Sequence, residues 1–188
     1  MNKIFLAGYK VFWYRTLEST MDTIMELSAG EEIVVVAEEQ SKGRGRQGKI
    51  WESPCGGLWM STVWYHCDDL LVPYLSILSA AAVADVLESH GILCRMKLPN
   101  DLYVSGKKIA GILVEKSEKS AIIGIGINVN RHETALLEYA VSMSEIAGRT
   151  FDLLFLLEEI LLRLAHHREL FSRTPSAALE CWAGLLRR

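Results

Sequence analysis

The sequence predicts an α+β fold built as a single domain. Strand-type segments follow one another over residues 94–129, and the longest helical patterns lie apart, toward the end of the chain. No repeat, linker or low-complexity tract divides the 188 residues. A regular strand–helix alternation, which would give a doubly wound parallel sheet, is missing. Half of the residues are hydrophobic and 23% are charged, the balance of a chain that can bury a core without disulfides.

Each element follows from local pattern. Residues 10–17 (KVFWYRTL) read as a strand, and EST at 18–20 opens a short helix running to about Leu27, with Ser19 or Thr20 as N-cap. Residues 33–38 (IVVVAE) form an apolar strand, and 57–65 (GLWMSTVWY) another. Between them, 40–51 is rich in glycine and charge and reads as a loop. The stretch from about Pro73 to His90 has helical spacing. Residues 94–97 make a short strand, 101–104 and 107–116 a hairpin turning at Ser105-Gly106, and 121–129 (AIIGIGINV) a buried strand. Helices are expected near 142–147, 151–172 and 176–186, in the part of the chain that begins at Thr134.

Composition excludes several function classes. The net charge of −3 gives no sign of nucleic-acid binding, so any anion site must be local. The run IFLAG is too short for a leader's apolar region, and Phe151–Leu164 carries Asp152, Glu158, Glu159 and Arg163, which no bilayer span tolerates. A cytoplasmic setting without membrane attachment is expected. Cys55, Cys67, Cys94 and Cys181 form no CxxC pair and read as reduced thiols. His66, His90, His132, His166 and His167 share no metal spacing and are expected at the surface or at helix ends, so no protein-bound metal site is expected. Trp13, Trp59 and Trp64 read as core. No Ser/His/Asp order suggests a hydrolase.

Three segments carry chemistry. In QSKGRGRQGKIW (40–51), Gly43, Gly45 and Gly48 fit G-x-G-x-x-G, but a dinucleotide fingerprint needs a helix to begin at the third glycine. Pro54 and Gly56-Gly57 argue against that helix. The loop can instead move on its glycines and offer the forks of Arg44 and Arg46 to a phosphate. With no partner for these arginines it is expected to be mobile over 41–50 and to order on binding. An exposed basic loop explains the same residues. In RMKLPNDLYVSGKKIAGILVE (95–115), the Pro99-Asn100-Asp101 turn sets Asp101 at a strand start across a hairpin from Lys107 and Lys108. Strand alternation lets only one of the two lysines face inward. An inward lysine beside an aspartate is costly unless a ligand uses it; a surface hairpin with a salt bridge is the alternative. In Gly124-Ile125-Gly126-Ile127-Asn128, glycines inside an apolar strand mark either close approach or a bulge, and Asn128 offers a donor and acceptors at the strand end.

Together these segments resemble the catalytic domain of biotin–protein ligases. The resemblance is carried by EST at 18–20, the Gln40–Trp51 loop, KLPNDLY at 97–103, KKIAGILVE at 107–115 and GIGINV at 124–129, in the family's order and spacing. It covers roughly residues 10–130 closely and the helical remainder more loosely. It implies the class II aminoacyl-tRNA synthetase-like fold shared with lipoate ligases, a mixed sheet backed by helices. It also implies ATP-dependent ligation of biotin, through biotinyl-5′-AMP, to a lysine of a biotin carboxyl carrier protein or another biotin-dependent carboxylase domain, with Mg²⁺ accompanying ATP. By resemblance Ser19, Thr20, Gln40, Gly43, Arg44, Lys108, Gly111 and Leu113 bind biotin. Arg44, Arg46, Trp51, Lys108 and Asn128 bind the nucleotide. Lys108, Asp101 and Arg44 are the catalytic set, with Asp101 assisting the acceptor lysine.

Departures from the family are expected to matter. Leu98 stands where a tryptophan is usual, so packing under the PND turn must differ, and Met21 replaces the asparagine often found after Ser-Thr. The chain is expected to be the catalytic domain alone, residues 1–188, without an N-terminal helix-turn-helix and without the C-terminal SH3-like domain, and to bind no operator DNA. The family suggests a homodimer. A lipoate–protein ligase on the same fold, or a non-catalytic biotin-binding homologue, are the alternatives.

Overall fold

The computed structural model describes residues 1–65, 72–116, 120–130 and 139–187. Among them, eight strands form one mixed sheet in the order β1-β2-β3-β4-β8-β7-β6-β5. These are β1 Asn2–Leu6, β2 Tyr9–Leu17, β3 Ile33–Gln40, β4 Leu58–Tyr65, β5 Arg95–Lys97, β6 Asp101–Val104, β7 Lys107–Lys116 and β8 Ser120–Ile127. Every neighbouring pair is antiparallel except β2 and β3. The helices are α1 Thr20–Leu27, α2 Val72–Ser89, α3 Met143–Ala147, α4 Leu153–Arg173 and α5 Pro175–Arg187. The α+β expectation therefore holds. The strand at β1 was not expected from its sequence; it pairs with β2 through a tight turn in which Ala7 and Gly8 both have positive φ, the conformation two-residue hairpins favour.

Strand alternation gives the sheet two different faces. One face sends Val34, Val36, Leu58, Met60, Ile123 and Ile125 into a core with α2, α4 and α5. The other carries Phe12, Ile33, Val35, Val63 and Ile122 against Met21 and Ile24 of α1. Because α1 is only eight residues long, it covers the second face in part. The uncovered area lies where that face is built of small residues: Gly124 pairs with Ser61 and Leu113, and Gly126 pairs with Trp59 and Gly111.

Helix ends are set by local chemistry. Ser142 and Glu145 make a reciprocal capping box at α3, and Gly148 closes that helix in the left-handed conformation. Asp152 caps α4 by accepting from Leu154 and Phe155 N–H. Ser19 occupies the N-cap position of α1, but its hydroxyl makes no capping bond. His167 departs from the expectation of surface or helix-end histidines: it is buried on α4, accepts from Trp182 Nε1 at Nδ1 (3.0 Å) and reaches Asp85 with Nε2 (3.0 Å). The indole can only donate, so the imidazole proton sits on Nε2 and points at Asp85. This links α5, α4 and α2. His166 is exposed, and His90 ends α2 against Glu159. Trp59 and Trp64 are buried as expected, while Trp13 is half-buried and donates to Glu38. Cys55 and Cys181 are exposed free thiols and Cys94 is buried; Cys67, His66, His132 and Thr134 lie outside the described residues. Among the described residues no helix is long and apolar enough to cross a membrane.

Candidate active site

A cavity of about 630 Å³ opens over the glycine-bearing face, in the size range of small-molecule sites. Its floor is Gly111, Gly124 and Gly126; α1 forms one wall, and the Gln40–Trp51 segment passes over it. The glycines are required by close approach. A Cβ at Gly126 would lie 2.5 Å from Trp51 Nε1, one at Gly111 2.9 Å from Trp51 Cζ3, and one at Gly124 2.7 Å from Met21 Sδ. The groups that approach are thus the chain's own Trp51 and Met21 side chains.

One end of the cavity holds Thr20 and Gln40. Gln40 Oε1 accepts from the Thr20 backbone N–H (2.8 Å) and hydroxyl (3.0 Å), and Gln40 Nε2 donates to Ser53 Oγ (2.8 Å). Thr20 Oγ also lies 2.8 Å from Ser61 Oγ on β4. Ser19, Thr20, Ser53 and Ser61 are all buried.

The other end holds Lys108 and Asp101. A β-bulge decides which lysine reaches it. Leu102 pairs with Ala110 but Tyr103 pairs with Lys108, leaving Ile109 as the extra residue. Strict alternation from Gly111 would turn Lys107 to the cavity; the bulge turns Lys108 there and leaves Lys107 exposed. Lys108 Nζ then lies 2.8 Å from Asp101 Oδ1 and 4.6 Å from the centre of the Trp51 ring. Asp101 Oδ1 is buried beneath that ion pair. Trp51 Nε1 is buried without a hydrogen-bond partner among the described residues. Asn128 is buried at the end of β8, where its Nδ2 donates weakly to Lys108 O (3.4 Å) and Val141 O (3.3 Å). It braces the segment beside Lys108.

The loop corrects one expectation. Its arginines have partners. Arg44 Nη2 lies between Asp22 on α1 (3.0 Å) and Glu115 on β7 (3.1 Å), while Arg46 donates to Asn100 Oδ1 (3.3 Å). The loop backbone is also tied, by Ser41 N–H to Leu17 O, Lys42 N–H to Glu18 O and Trp51 N–H to Gly43 O. Gly43 is needed there because a Cβ would stand 2.3 Å from the Trp51 carbonyl oxygen. Arg46–Gly48 forms a single 3-10 turn and no α-helix begins at Gly48, in keeping with the rejected dinucleotide fingerprint. Leu98 is exposed and does not pack beneath the turn it precedes.

The cavity therefore gathers Ser19, Thr20, Gln40, Arg44, Arg46, Trp51, Asp101, Lys108, Gly111, Leu113 and Asn128; Gly43, within the loop, does not line it and packs against Trp51 and Ser53. Ser53, Ser61, Asp22, Glu115, Asn100 and Tyr139 join the site without having been singled out. Polar Ser61 within the otherwise apolar run GLWMSTVW was a usable signal; the others carried none that composition or spacing could isolate.

The family model for the biotin/lipoate A/B protein ligase family matches residues 13–130. The chain belongs to this family. It is 38% identical over 172 residues to the bifunctional ligase/repressor BirA of Bacillus subtilis, an alignment covering 84% of this chain and 53% of that protein. The chain thus spans about half the length of the curated relatives it matches first. Among solved structures, the biotin protein ligase of Aquifex aeolicus in complex with biotin and ATP superimposes with a TM-score of 0.79 at 32% identity, over 87% of this chain and 72% of that one. The Leishmania major biotin protein ligase in complex with biotinyl-5-AMP gives 0.79 at 27% identity, over 94% of this chain and 81% of that one. The fold is that of the biotin protein ligase catalytic domain.

Proposed function

We propose that this domain joins biotin to ATP, forming biotinyl-5′-adenylate and pyrophosphate, and then transfers the biotinyl group to a lysine of a biotin carboxyl carrier protein or another biotin-dependent carboxylase domain. The observation that carries the reading is one glycine-floored cavity with two chemically different ends: the Thr20–Gln40 hydrogen-bonding pair at one, and the Lys108–Asp101 ion pair under Trp51 at the other. A bicyclic head with a ureido group suits the first, and a carboxylate reacting with a phosphate suits the second. Solved relatives that bind biotin and ATP, or biotinyl-5-AMP, support the same assignment.

In the first step a biotin carboxylate oxygen attacks the α-phosphorus, the new C–O–P linkage forms, and pyrophosphate leaves. Negative charge gathers on the α-phosphate oxygens, so positioned cations stabilise the transition state. Lys108 is placed for this. Arg46 is the better loop cation for phosphate, because its only side-chain partner among the described residues is the neutral Asn100 carbonyl. Arg44, engaged by two carboxylates, acts by tying the loop to α1 and β7. Thr20, Gln40 and Ser19 contact the ureido group, Gly111 and Leu113 give the apolar ring and tail their space, and Gly43 serves biotin by letting the loop pack on Trp51 and Ser53. Trp51 and Asn128 border the nucleotide. In the second step the acceptor amine attacks the biotinyl carbonyl carbon, AMP leaves, and the amine proton passes to a base, for which Asp101 is placed.

Mg²⁺ belongs to this proposal. It is held by as few as one or two carboxylates when it arrives with phosphates, and Asp101, which lines the cavity beside Lys108, is the carboxylate that would hold it. When bound, the metal withdraws charge from the phosphate oxygens. A homodimer and a cytoplasmic setting are also proposed, the latter in keeping with the exposed free thiols of Cys55 and Cys181. Calorimetric titration with biotin tests the substrate assignment. Saturable heat with biotin and none with lipoate is expected; the reverse order of affinity overturns it.

A further inference from the structure

We propose that Ser53 and Ser61 are positioning residues that fix the hydrogen-bond polarity of the Thr20–Gln40 pair, so that the cavity offers a cyclic urea one amide N–H from Gln40 and one oxygen lone pair from Thr20. The inference rests on the biotin reading and deepens it.

The polarity follows from donors and acceptors alone. The Trp51 carbonyl can only accept, so the Ser53 hydroxyl, 3.0 Å away, donates to it. Ser53 Oγ must then accept from Gln40, and only the amide nitrogen can donate, which fixes Nε2 toward Ser53 at 2.8 Å. The amide oxygen is thereby turned to Thr20. Thr20 Oγ stands 3.0 Å from that oxygen and must donate to it, since two lone pairs at this distance repel. With its proton committed, Thr20 Oγ accepts from Ser61, 2.8 Å away and fully buried. The chain runs one way: Ser61 to Thr20 to Gln40, and Gln40 to Ser53 to the Trp51 carbonyl. Left over for a ligand are the second Nε2 hydrogen of Gln40 and a lone pair on Thr20. A ureido group, with one carbonyl acceptor and N–H donors beside it, complements that pattern. Without Ser53 the amide oxygen is still held by the Thr20 N–H, but Nε2 loses the acceptor that fixes its first hydrogen and so aims its second.

A double-mutant cycle tests this. Ser53→Ala should weaken biotin binding roughly tenfold to a hundredfold, the range for a polar group that loses its buried partner. It should raise KM for biotin while changing kcat by less than about twofold. In a Gln40→Ala background the same Ser53→Ala change should alter biotin affinity by less than about twofold, because the residue it orients is gone. Equal effects in both backgrounds would show that Ser53 merely braces the loop and would overturn the proposal. Should Ser53→Ala fail to fold, Ser61→Ala against Thr20→Val decides in the same way, non-additivity supporting it and additivity overturning it. Wild-type protein that binds no biotin overturns the underlying biotin reading. Wild-type protein that binds biotin with an additive cycle overturns this inference alone.

Discussion

Substituting alanine at Gly126 isolates what the glycine floor does. A methyl carbon normally stands about 3.5–4.0 Å from a neighbouring ring atom. At Gly126 it would be 2.5 Å from Trp51 Nε1 and 2.7 Å from Cε2, so the indole must retreat by about 1 Å. Lys108 lies over that ring at 4.6 Å and contacts Asp101, so the displacement passes to the reacting end of the cavity. A misplacement of about 1 Å commonly costs on the order of a hundredfold in rate. The fold should suffer less. Gly126 does not hold a positive φ, so alanine is compatible with its backbone. Such a change gains about 0.4–1 kcal/mol through the unfolded state, against an overpacking cost of roughly 1–3 kcal/mol. Pyrophosphate release at saturating biotin and ATP, read beside thermal melting, is the assay. Adenylation about a hundredfold slower in a protein still folded at the assay temperature is expected. Gly111→Ala, with its nearest ring contact at 2.9 Å, should have a smaller effect. Gly126→Ala working within threefold of wild type would refute the reasoning.

Three further outcomes follow. Lys108→Ala should slow adenylate formation by on the order of a hundredfold; Asp101→Asn should slow transfer from preformed adenylate by roughly a hundred- to ten-thousandfold. Single-turnover assays separate the two, and Asp101→Asn transferring normally while failing to form adenylate would reverse the roles. Arg44→Ala removes two partly exposed ion pairs worth about 0.2–1 kcal/mol each, so adenylate should dissociate roughly twofold to thirtyfold faster. High salt should reproduce that in wild type and add little in the mutant; a salt-insensitive off-rate in wild type would contradict the clasp. Burial pulls the Asp85 carboxyl upward, but the hydrogen bond from His167, with the charges of Arg163 and His166, holds it below its ordinary range. Its contribution is therefore complete above the unfolded value of about 3.9 and is lost as pH falls through the lowered folded value. The Tm gap between wild type and Asp85→Asn should be modest, since Asp85 is partly exposed, and should close on acidification below pH ~4. A gap that persists unchanged at acid pH would contradict this.

The sequence was most legible where pattern is local. The hairpin Asp101–Val104 and Lys107–Lys116 matches the expected bounds because alternation and the Ser105-Gly106 turn both mark it. The glycines of GIGIN do mark close approach. Four things were hidden. The bulge at Ile109 adds one residue with no compositional trace, yet it turns Lys108 rather than Lys107 to the cavity. The partners of Arg44 are 22 residues before and 71 residues after it, supplied by α1 and β7 only once the sheet forms. His167 is indistinguishable from its neighbour His166 by type; the packing of Trp182 from α5 decides which is buried. β1 was missed because five residues beside the start of the chain give too short a pattern, and only its pairing with β2 defines it.

The most direct test of the central claim is mass spectrometry of the nucleotide product after purified protein is mixed with MgATP and either biotin or lipoate. Biotinyl-5′-adenylate, formed with stoichiometric pyrophosphate in the biotin mixture alone, is the expected result. Lipoyl-adenylate as the main product would contradict the biotin assignment. No adenylate from either acid, in protein that binds both biotin and ATP, would contradict the claim that Lys108, Arg46 and their neighbours form a working active site.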